Sequence, residues 1–200
     1  MEEGYLERNL IKSRWRPKIP KAVPKYLDKP EQARINLHAD QLSIRDRAIF
    51  EYLLSSGCRR CELVTLNVTD VDLKNRTAWV TGKGQKKRQV HFSPLCALYL
   101  QKYLETHPPH EQALFLNRFG KRLKGRSIYY LTAKLGRQAK LGSNLGPHRL
   151  RHTFATNLLA KGAELDFISD ELGHSNLSTT RIYARLPAEQ IVSLYKKFMG

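Results

Sequence analysis

Residues 43–63 read SIRDRAIFEYLLSSGCRRCEL, and this stretch predicts a helix, a break and a second, shorter helix. Gly57 interrupts the helical pattern, and the run RCELVTL that follows predicts the short helix. Arg59 therefore lies between the two helices. The apolar residues of the first helix recur at the spacing of a single helical face: Ile44, Ala48, Ile49, Tyr52 and Leu53.

The segments on either side predict an α+β fold, mainly α-helical with a small three-stranded antiparallel sheet. Helical patterning starts near Tyr26. The β-rich runs RTAWV and RQVHF flank a Gly/Lys turn and predict a hairpin, and ALFLN at 113–117 predicts the third strand. The remaining helices are predicted at 94–105, 127–140, 148–161, 165–172, 176–183 and 188–198.

The net charge is the strongest global feature. The chain has 35 Lys and Arg residues against 18 Asp and Glu, which gives a formal charge of +17 and a pI near 10.0. This excess favours a polyanionic partner, because clustered cations gain affinity by releasing phosphate counterions. Nucleic acid is the first candidate; an acidic membrane surface is the second, but no basic amphipathic anchor supports it.

Length and composition predict one folded domain behind a basic arm. Two hundred residues with 41% hydrophobic content can bury a core. Residues 1–25 predict an extended linker, because KSRWRPKIPKAVPK has three prolines among many bases. The three cysteines argue against a disulfide framework. No apolar run approaches the length of a membrane span and the N-terminus lacks a signal core, so we expect a cytoplasmic, nucleoid-associated protein.

The run PHRLRH at 147–152 concentrates basic and titratable side chains at a predicted helix start. With Pro147 in the first turn, His148 and Arg151 share one face, whereas Leu150 and Phe154 pack inward. A His and an Arg at a helix N-terminus make an oxyanion or phosphate site. The alternative for an isolated motif of this kind is a solvated basic helix start.

A zinc module is a second alternative. Cys58 and Cys61, and His148 and His152, have the internal spacing of metal ligands. The second Cys and the first His are 87 positions apart, however, against about a dozen in a zinc finger. We therefore predict no metal ligand set.

Taken in order, several motifs together resemble those of the tyrosine recombinases, the family of phage integrases and Xer-type chromosome resolution enzymes. The family pattern G-x-R-x-x-E-L is met within GCRRCEL, the hairpin G-K-G within TGKGQKKR, and H-x-x-R within PHRLRH. L-G-H and the nucleophile box S-T-T-x-I-Y follow in LGHSNLSTTRIY. The motif residues are Gly57, Arg59, Glu62, Leu63, Lys83, His148, Arg151, His152, Leu172, Gly173, His174 and Tyr183.

The resemblance implies a catalytic domain over residues 26–200 that breaks and rejoins DNA through a 3′-phosphotyrosyl link, without metal or cofactor. It implies that Tyr183 is the nucleophile, that Lys83 is the general acid and that His148 accepts a proton. Three further residues would hold the phosphate oxygens: Arg59, Arg151 and His174. Glu62 would orient Arg59, and His152 would support the site. Basic residues near the motifs are predicted to contact DNA: Arg60, Lys86, Lys87, Arg88 and Arg149.

Two rival functions keep the DNA partner. Type IB topoisomerases use a similar Arg/Lys/His/Tyr set to relax supercoils, and a catalytically dead DNA-binding module would keep only affinity. The L-G-H-S-x-L-S-T-T box favours the recombinase, and the intact residue set argues against a dead site.

The resemblance also implies partners. The run IVSLYKKF near the C-terminus has the apolar spacing of a helix that docks on a neighbouring protomer. We expect a monomer in solution and a homotetramer on paired DNA sites, with accessory proteins as a possible addition and no membrane partner. The N-terminal core-binding domain usual in the family has no counterpart in this sequence. The chain is then either a catalytic fragment or a short form similar to the fimbrial-switch recombinases.

Overall fold

A computed structural model of the protein describes residues 25–173, from the end of the predicted arm to the Gly of the L-G-H motif. The N-terminal arm, the helices predicted at 176–183 and 188–198, and the motif residues His174 and Tyr183 lie outside the described residues. The elements are α1 (Lys29–Ala39), α2 (Ile44–Ser56), α3 (Arg60–Thr65), β1 (Val71–Asp72), β2 (Thr77–Thr81), β3 (Lys87–His91), α4 (Pro94–Leu104), α5 (Gly125–Gln138), α6 (Pro147–Ala160) and α7 (Leu165–Leu172).

The mainly helical fold with a three-stranded antiparallel sheet is confirmed, and the predicted helices within residues 25–173 all form. Between residues 25 and 173, no helix is both long enough and apolar enough to cross a bilayer.

Helix α2 is the centre of the core. The Ser43 hydroxyl caps its start by accepting a hydrogen bond from the Asp46 N–H at 3.2 Å. Four of the five predicted face residues are buried, whereas Ile44, the first residue of the helix, is 45% exposed. α2 packs against α4 and α6, and this core buries Phe50, Tyr52, Leu100, Leu135 and Leu150.

Gly57 ends α2 in a way that other residues cannot. Its φ is +60°, a left-handed conformation that L side chains rarely adopt. A Cβ at this position would also lie 2.3 Å from Cδ1 of Phe154 on α6. The break seen in the sequence is therefore a close crossing of α2 and α6, and it directs the next residues toward the start of α6.

The sheet has the order β1-β2-β3, and both pairings are antiparallel. Ala78 opposes Val90 across the predicted hairpin, and both are buried. The prediction of the third strand was wrong: it is Val71–Asp72, whereas 113–117 forms only isolated bridges. The apolar run ALFLN reflects burial in the core and not strand pairing, since its first four residues are buried with few ladder bonds.

A smaller apolar cluster joins α6 to α7. It consists of Phe154, Ala155, Ile168 and Leu172, all buried. Because α6 belongs to the main core through Leu150 and to this cluster through Phe154, it fixes the C-terminal end of α7 beside the end of α2. The start of α3, the end of α7 and the first turns of α6 thereby meet at one place.

Candidate active site

The first turns of α6 present the residues of the H-x-x-R motif. Pro147 occupies the first turn, as predicted. His148 is exposed, whereas Arg151 is only 4% exposed. Leu150 and Phe154 are buried, which confirms their predicted inward packing.

Arg151 links the ends of two other helices. Its Nη1 donates to the Gly57 carbonyl oxygen and its Nη2 to the Leu172 carbonyl oxygen, both at 2.6 Å. Burial, with a further contribution from the charge of Arg59, lowers the pKa of Arg151 to about 10. The guanidinium therefore remains charged at neutral pH. Within residues 25–173 its hydrogen-bond partners are carbonyl groups, which carry no formal negative charge.

Arg59 and Glu62 meet as their spacing predicts. The Arg59 N–H donates to Glu62 Oε2 at 2.7 Å and Arg59 Nη1 donates to Oε1 at 2.8 Å. The Arg59 side chain is 30% exposed and that of Glu62 is fully buried. The carboxylate thus caps α3 and orients the guanidinium in one contact, while the outer part of Arg59 stays accessible to a ligand.

Arg88 is a second partner of Glu62, which the sequence did not reveal. Its Nη1 and Nη2 donate to Oε1 and Oε2 at 2.7 and 3.0 Å. The predicted DNA contact by Arg88 stays a prediction, and in the structure its side chain is 16% exposed and directed at this buried carboxylate. Burial alone would raise the pKa of Glu62, but the hydrogen bonds from Arg88 and Arg59 outweigh burial and hold that pKa below its ordinary value.

We call Arg59, Arg88, Arg151 and Glu62 the guanidinium cluster. Its cations hold the C-terminal end of α7, where helix carbonyls lack intrahelical partners and the helix dipole is negative. The three bonds run from Arg88 Nε to the Glu171 oxygen (3.1 Å), from Arg151 Nη2 to the Leu172 oxygen (2.6 Å) and from Arg59 Nη2 to the Gly173 oxygen (3.1 Å).

The histidines of α6 lie next to these cations. Partial desolvation of the imidazole, followed by the charges of Arg151, Arg60 and Arg59, lowers the pKa of His148, although part of the residue stays exposed. Burial and the nearby His148 and Arg151 lower the pKa of His152 to about 4. Both imidazoles are therefore neutral at pH 7, and a neutral imidazole can accept a proton.

Arg60 lies beside the cluster and is exposed. It lines a pocket of about 390 Å³ together with Tyr129, Asn144 and His148. The Arg60 side chain packs against Gly125: a Cβ added to Gly125 would lie 3.3 Å from Arg60 Nε. The predicted DNA-contact position of Arg60 is thus open to solvent at the mouth of the site.

The hairpin between β2 and β3 carries the predicted general acid. Lys83 starts a short turn, Lys83–Gln85, and the next two lysines, Lys86 and Lys87, are exposed. The turn has a left-handed backbone at Gly84, with a φ of +73°, which glycine adopts without steric cost. The roles of Lys83, Lys86 and Lys87 stay predictions.

Arg149 is placed in a different environment from its neighbours in the motif. Its Nη2 contacts Glu31 Oε2 at 2.6 Å, and it also donates to the Tyr26 and Ser143 carbonyl oxygens. The predicted DNA contact by Arg149 stays a prediction, and in the structure the side chain is 9% exposed and bonded to groups of the protein. Arg149 fastens α1 to α6.

The cysteines of the zinc alternative are separated by burial. Cys58 is 1% exposed and part of the core, whereas Cys61 is exposed. Burial raises the pKa of the Cys58 thiol to about 12, which disfavours the thiolate that zinc requires. Within residues 25–173, no group of three or more His, Cys, Asp and Glu side chains could hold a metal ion.

The inward position of Arg88 and its close packing on Gly173 are two features of the site that the sequence analysis did not identify. In a strand, alternate residues share a face, so Arg88 lies on the same side as the buried Val90. Gly173, in L-G-H, has a φ of +61°, and a Cβ there would lie 2.8 Å from Cδ of Arg88. The period of two predicts an inward Arg88, but no sequence signal identifies Glu62 as its partner.

Comparisons with known proteins identify the relatives of this chain. Residues 25–190 match the Phage integrase family. The tyrosine recombinase XerC of Salmonella typhi is 36% identical over 201 aligned positions, which cover 98% of this chain and 67% of that protein. This chain therefore spans about two thirds of the length of that relative.

Two solved structures have a similar fold. The crystal structure of XerA recombinase matches with a TM-score of 0.77 and 31% identity, over 92% of this chain and 67% of that one. The XerH site-specific recombinase in a post-cleavage complex with a palindromic difH substrate matches with a TM-score of 0.76 and 26% identity. That match covers 91% of this chain and 56% of the XerH chain.

Proposed function

This chain belongs to the phage integrase family of tyrosine recombinases, and we propose that it breaks and rejoins double-stranded DNA through a covalent 3′-phosphotyrosyl intermediate. It is a tyrosine-type site-specific recombinase. The relatives named above are recombinases, so a type IB topoisomerase and a catalytically dead DNA-binding module are not favoured.

The observation that carries the proposal is the charge of the guanidinium cluster. In the part of the chain that the structure describes, two guanidinium groups, Arg59 and Arg88, share the carboxylate of Glu62, and the third, Arg151, donates to neutral carbonyls. A buried excess of positive charge is costly without an anion. A phosphodiester supplies that anion, and the formal charge of +17 favours the duplex that carries it.

The donors that the protein leaves free fit this ligand. A guanidinium has five N–H donors. Among residues 25–173, the side chains of Arg59 and Arg151 each use two of them. The others can bind the non-bridging oxygens of a scissile phosphate, where charge grows in the transition state. His174, which follows Gly173 directly, would add one more hydrogen bond.

The proposed step is a single displacement at phosphorus. The Tyr183 Oη forms a bond to the phosphorus atom, and the bond from phosphorus to the 5′ oxygen breaks. The phenolic proton passes to neutral His148, and Lys83 gives a proton to the departing 5′ oxygen. The reverse attack by a 5′-hydroxyl of another strand then rejoins the DNA and releases the tyrosine.

Covalent capture tests this function. The protein is mixed with nicked duplexes of randomised sequence, denatured with SDS and examined for a protein–DNA adduct, with Tyr183→Phe as the matched control. We expect an adduct with the wild-type protein alone, and sequencing the trapped DNA identifies the site. Duplex binding without any adduct would contradict the proposed chemistry for this chain.

The proposed assembly is a monomer that forms a tetramer on paired sites through its C-terminal segment. The support is the apolar spacing of IVSLYKKF and the family itself. Sedimentation of the protein alone and with a duplex carrying two captured sites measures the stoichiometry. A complex with fewer than four protomers on the two-site duplex would exclude the tetramer. If accessory proteins are required, adding a cell extract should restore the assembly.

The proposed division of the chain is a basic arm over residues 1–25 and a catalytic domain over 26–200. The family match starts at residue 25, which supports this boundary. Replacing the arm residues Lys18, Lys21 and Lys25 by Ala should weaken duplex binding and reduce its salt dependence. An unchanged salt dependence would remove the arm from the DNA interface.

A further inference from the structure

We propose that Arg88 is a positioning residue of the active site, which holds Arg59 and the end of α7 in one fixed arrangement through Glu62 and the Glu171 carbonyl. This inference rests on the proposed function, and it gives Arg88 a role different from the DNA contact that the sequence predicted.

All three guanidinium nitrogens of Arg88 donate hydrogen bonds within the site. Two nitrogens bind the two oxygens of Glu62 at 2.7 and 3.0 Å, and Nε binds the Glu171 carbonyl oxygen at 3.1 Å. These acceptors belong to α3 and α7, whereas Arg88 itself is on β3. One side chain therefore ties three elements together at the site.

Glu62 transmits the position of Arg88 to Arg59. Each carboxylate oxygen accepts one hydrogen bond from Arg88 and one from Arg59, whose backbone N–H and Nη1 are the donors. The plane of the buried carboxylate is thus fixed from both sides. If Arg88 were lost, Glu62 could rotate, and the Arg59 guanidinium would rotate with it.

The second path runs to the segment that carries His174. Arg88, Arg151 and Arg59 hold three consecutive carbonyl oxygens at the end of α7. Gly173 packs directly on Arg88, since a Cβ there would lie 2.8 Å from Arg88 Cδ. Displacement of Arg88 would therefore displace Gly173, the residue that precedes His174 in the sequence.

A lysine cannot replace Arg88 in this arrangement. The ammonium group is a point charge, whereas the guanidinium is a rigid fork that can bind two carboxylate oxygens and a carbonyl at once. Misplacing a phosphate-binding group by about 1 Å can cost about 100-fold in rate. Loss of the fork should therefore slow catalysis even where the positive charge is kept.

The test uses the full chain and the nicked duplex identified by covalent capture. Arg88→Lys and Arg88→Met are compared with wild type in the rate of adduct formation at saturating DNA, in duplex affinity and in the salt dependence of that affinity. We expect both variants to lose about 100-fold in rate, with affinity changed less than about threefold and an unchanged salt slope.

Arg47→Met is the matched control. Arg47 is another buried arginine, paired with Glu51 on α2 at 2.9 Å with both side chains 6% exposed, and it lies outside the guanidinium cluster. The substitution should lower the melting temperature and leave the adduct rate of the folded protein within about threefold of wild type, since the described ion pairs of Arg47 are with Asp40 and Glu51, away from the guanidinium cluster.

Three outcomes overturn the proposal. An unchanged rate at saturating DNA shows that the position of Arg59 does not depend on Arg88. A weaker affinity with a shallower salt slope shows that Arg88 contacts phosphate directly. Unfolding of both Arg88 variants at the assay temperature shows a folding role instead. Absence of an adduct with wild-type protein would instead reject the proposed function, so the two failures are distinguishable.

Discussion

Arg149 and Arg151 are two residues apart on α6 and both are buried, but the charge around them differs. Arg149 pairs with the carboxylate of Glu31, so the junction of α1 and α6 is neutral. Arg151 donates to two backbone carbonyl groups and lies near two other guanidinium groups, with Glu62 as the carboxylate that contacts this cluster in the described part of the chain.

The comparison shows that the partners of a buried arginine, and not its burial, indicate whether it has a structural or a ligand-binding role. A buried arginine with its own carboxylate stabilises the contact between two elements, and its charge is used within the protein. A buried arginine held by neutral carbonyls has a fixed orientation and unused charge, which prepares it for an anionic ligand. Burial is the same at the two positions, and the partners decide the function.

Arg151→Met should give the largest effect. It removes a fixed cation from the proposed phosphate site, and the loss of one such donor costs about 100- to 1,000-fold in rate. We expect adduct formation on the captured nicked duplex to fall by about 1,000-fold. A variant with more than a tenth of the wild-type rate would show that Arg151 is structural, as Arg149 is.

Glu62→Gln should come next. It leaves the three cations of the cluster without a carboxylate, and breaking a buried ion pair costs about 3 kcal/mol or more. We expect a lower free energy of unfolding in urea and an adduct rate reduced about 100-fold. If the rate per folded molecule is unchanged, the carboxylate does not orient Arg59.

Arg149→Met tests the other region. It leaves Glu31 with an unpaired charge, and we expect a loss of about 3 kcal/mol in the free energy of unfolding. The adduct rate of the folded protein should stay within about threefold of wild type. The double variant Arg149→Met with Glu31→Gln should recover part of the stability, because it removes the unpaired carboxylate.

The stability of the protein should depend on pH through His152, whose pKa is lowered by burial and by the nearby His148 and Arg151. The pKa of His152 is about 4 in the folded protein, against about 6.5 when unfolded. Between these values the unfolded chain binds more protons, so the free energy of unfolding falls as the pH drops from 6.5 toward 4. Because His152 is partly exposed, we expect about 1–2 kcal/mol. Urea unfolding at several pH values measures it, and His152→Asn should flatten the dependence.

The smallest effects should come from the hairpin lysines. Lys86 and Lys87 are exposed on the turn and at the start of β3. Replacing either by Ala should weaken duplex binding a few-fold and reduce the salt slope by about one. The adduct rate at saturating DNA should not change. An unaltered salt slope would show that this surface does not meet phosphates.

Much of the fold followed from local patterns. The helix around Ile49 was predicted correctly because its apolar residues recur on one face, and Pro147 marks the start of α6 for a local steric reason. The third strand was misassigned because burial alone makes a run such as ALFLN apolar. A strand of two residues, Val71–Asp72, is too short to show a period.

The sequence by itself determined the helices, the hairpin, the excess charge and the ordered motifs that identify the family, because these depend on neighbouring residues or on residue type. Only the tertiary structure decided which arginines are neutralised. Arg149 meets a carboxylate 118 positions away, and Arg88 meets a carbonyl 83 positions away. Such pairings depend on how whole helices pack, and an arginine has the same appearance in the sequence whether its partner is a carboxylate, a carbonyl or a phosphate.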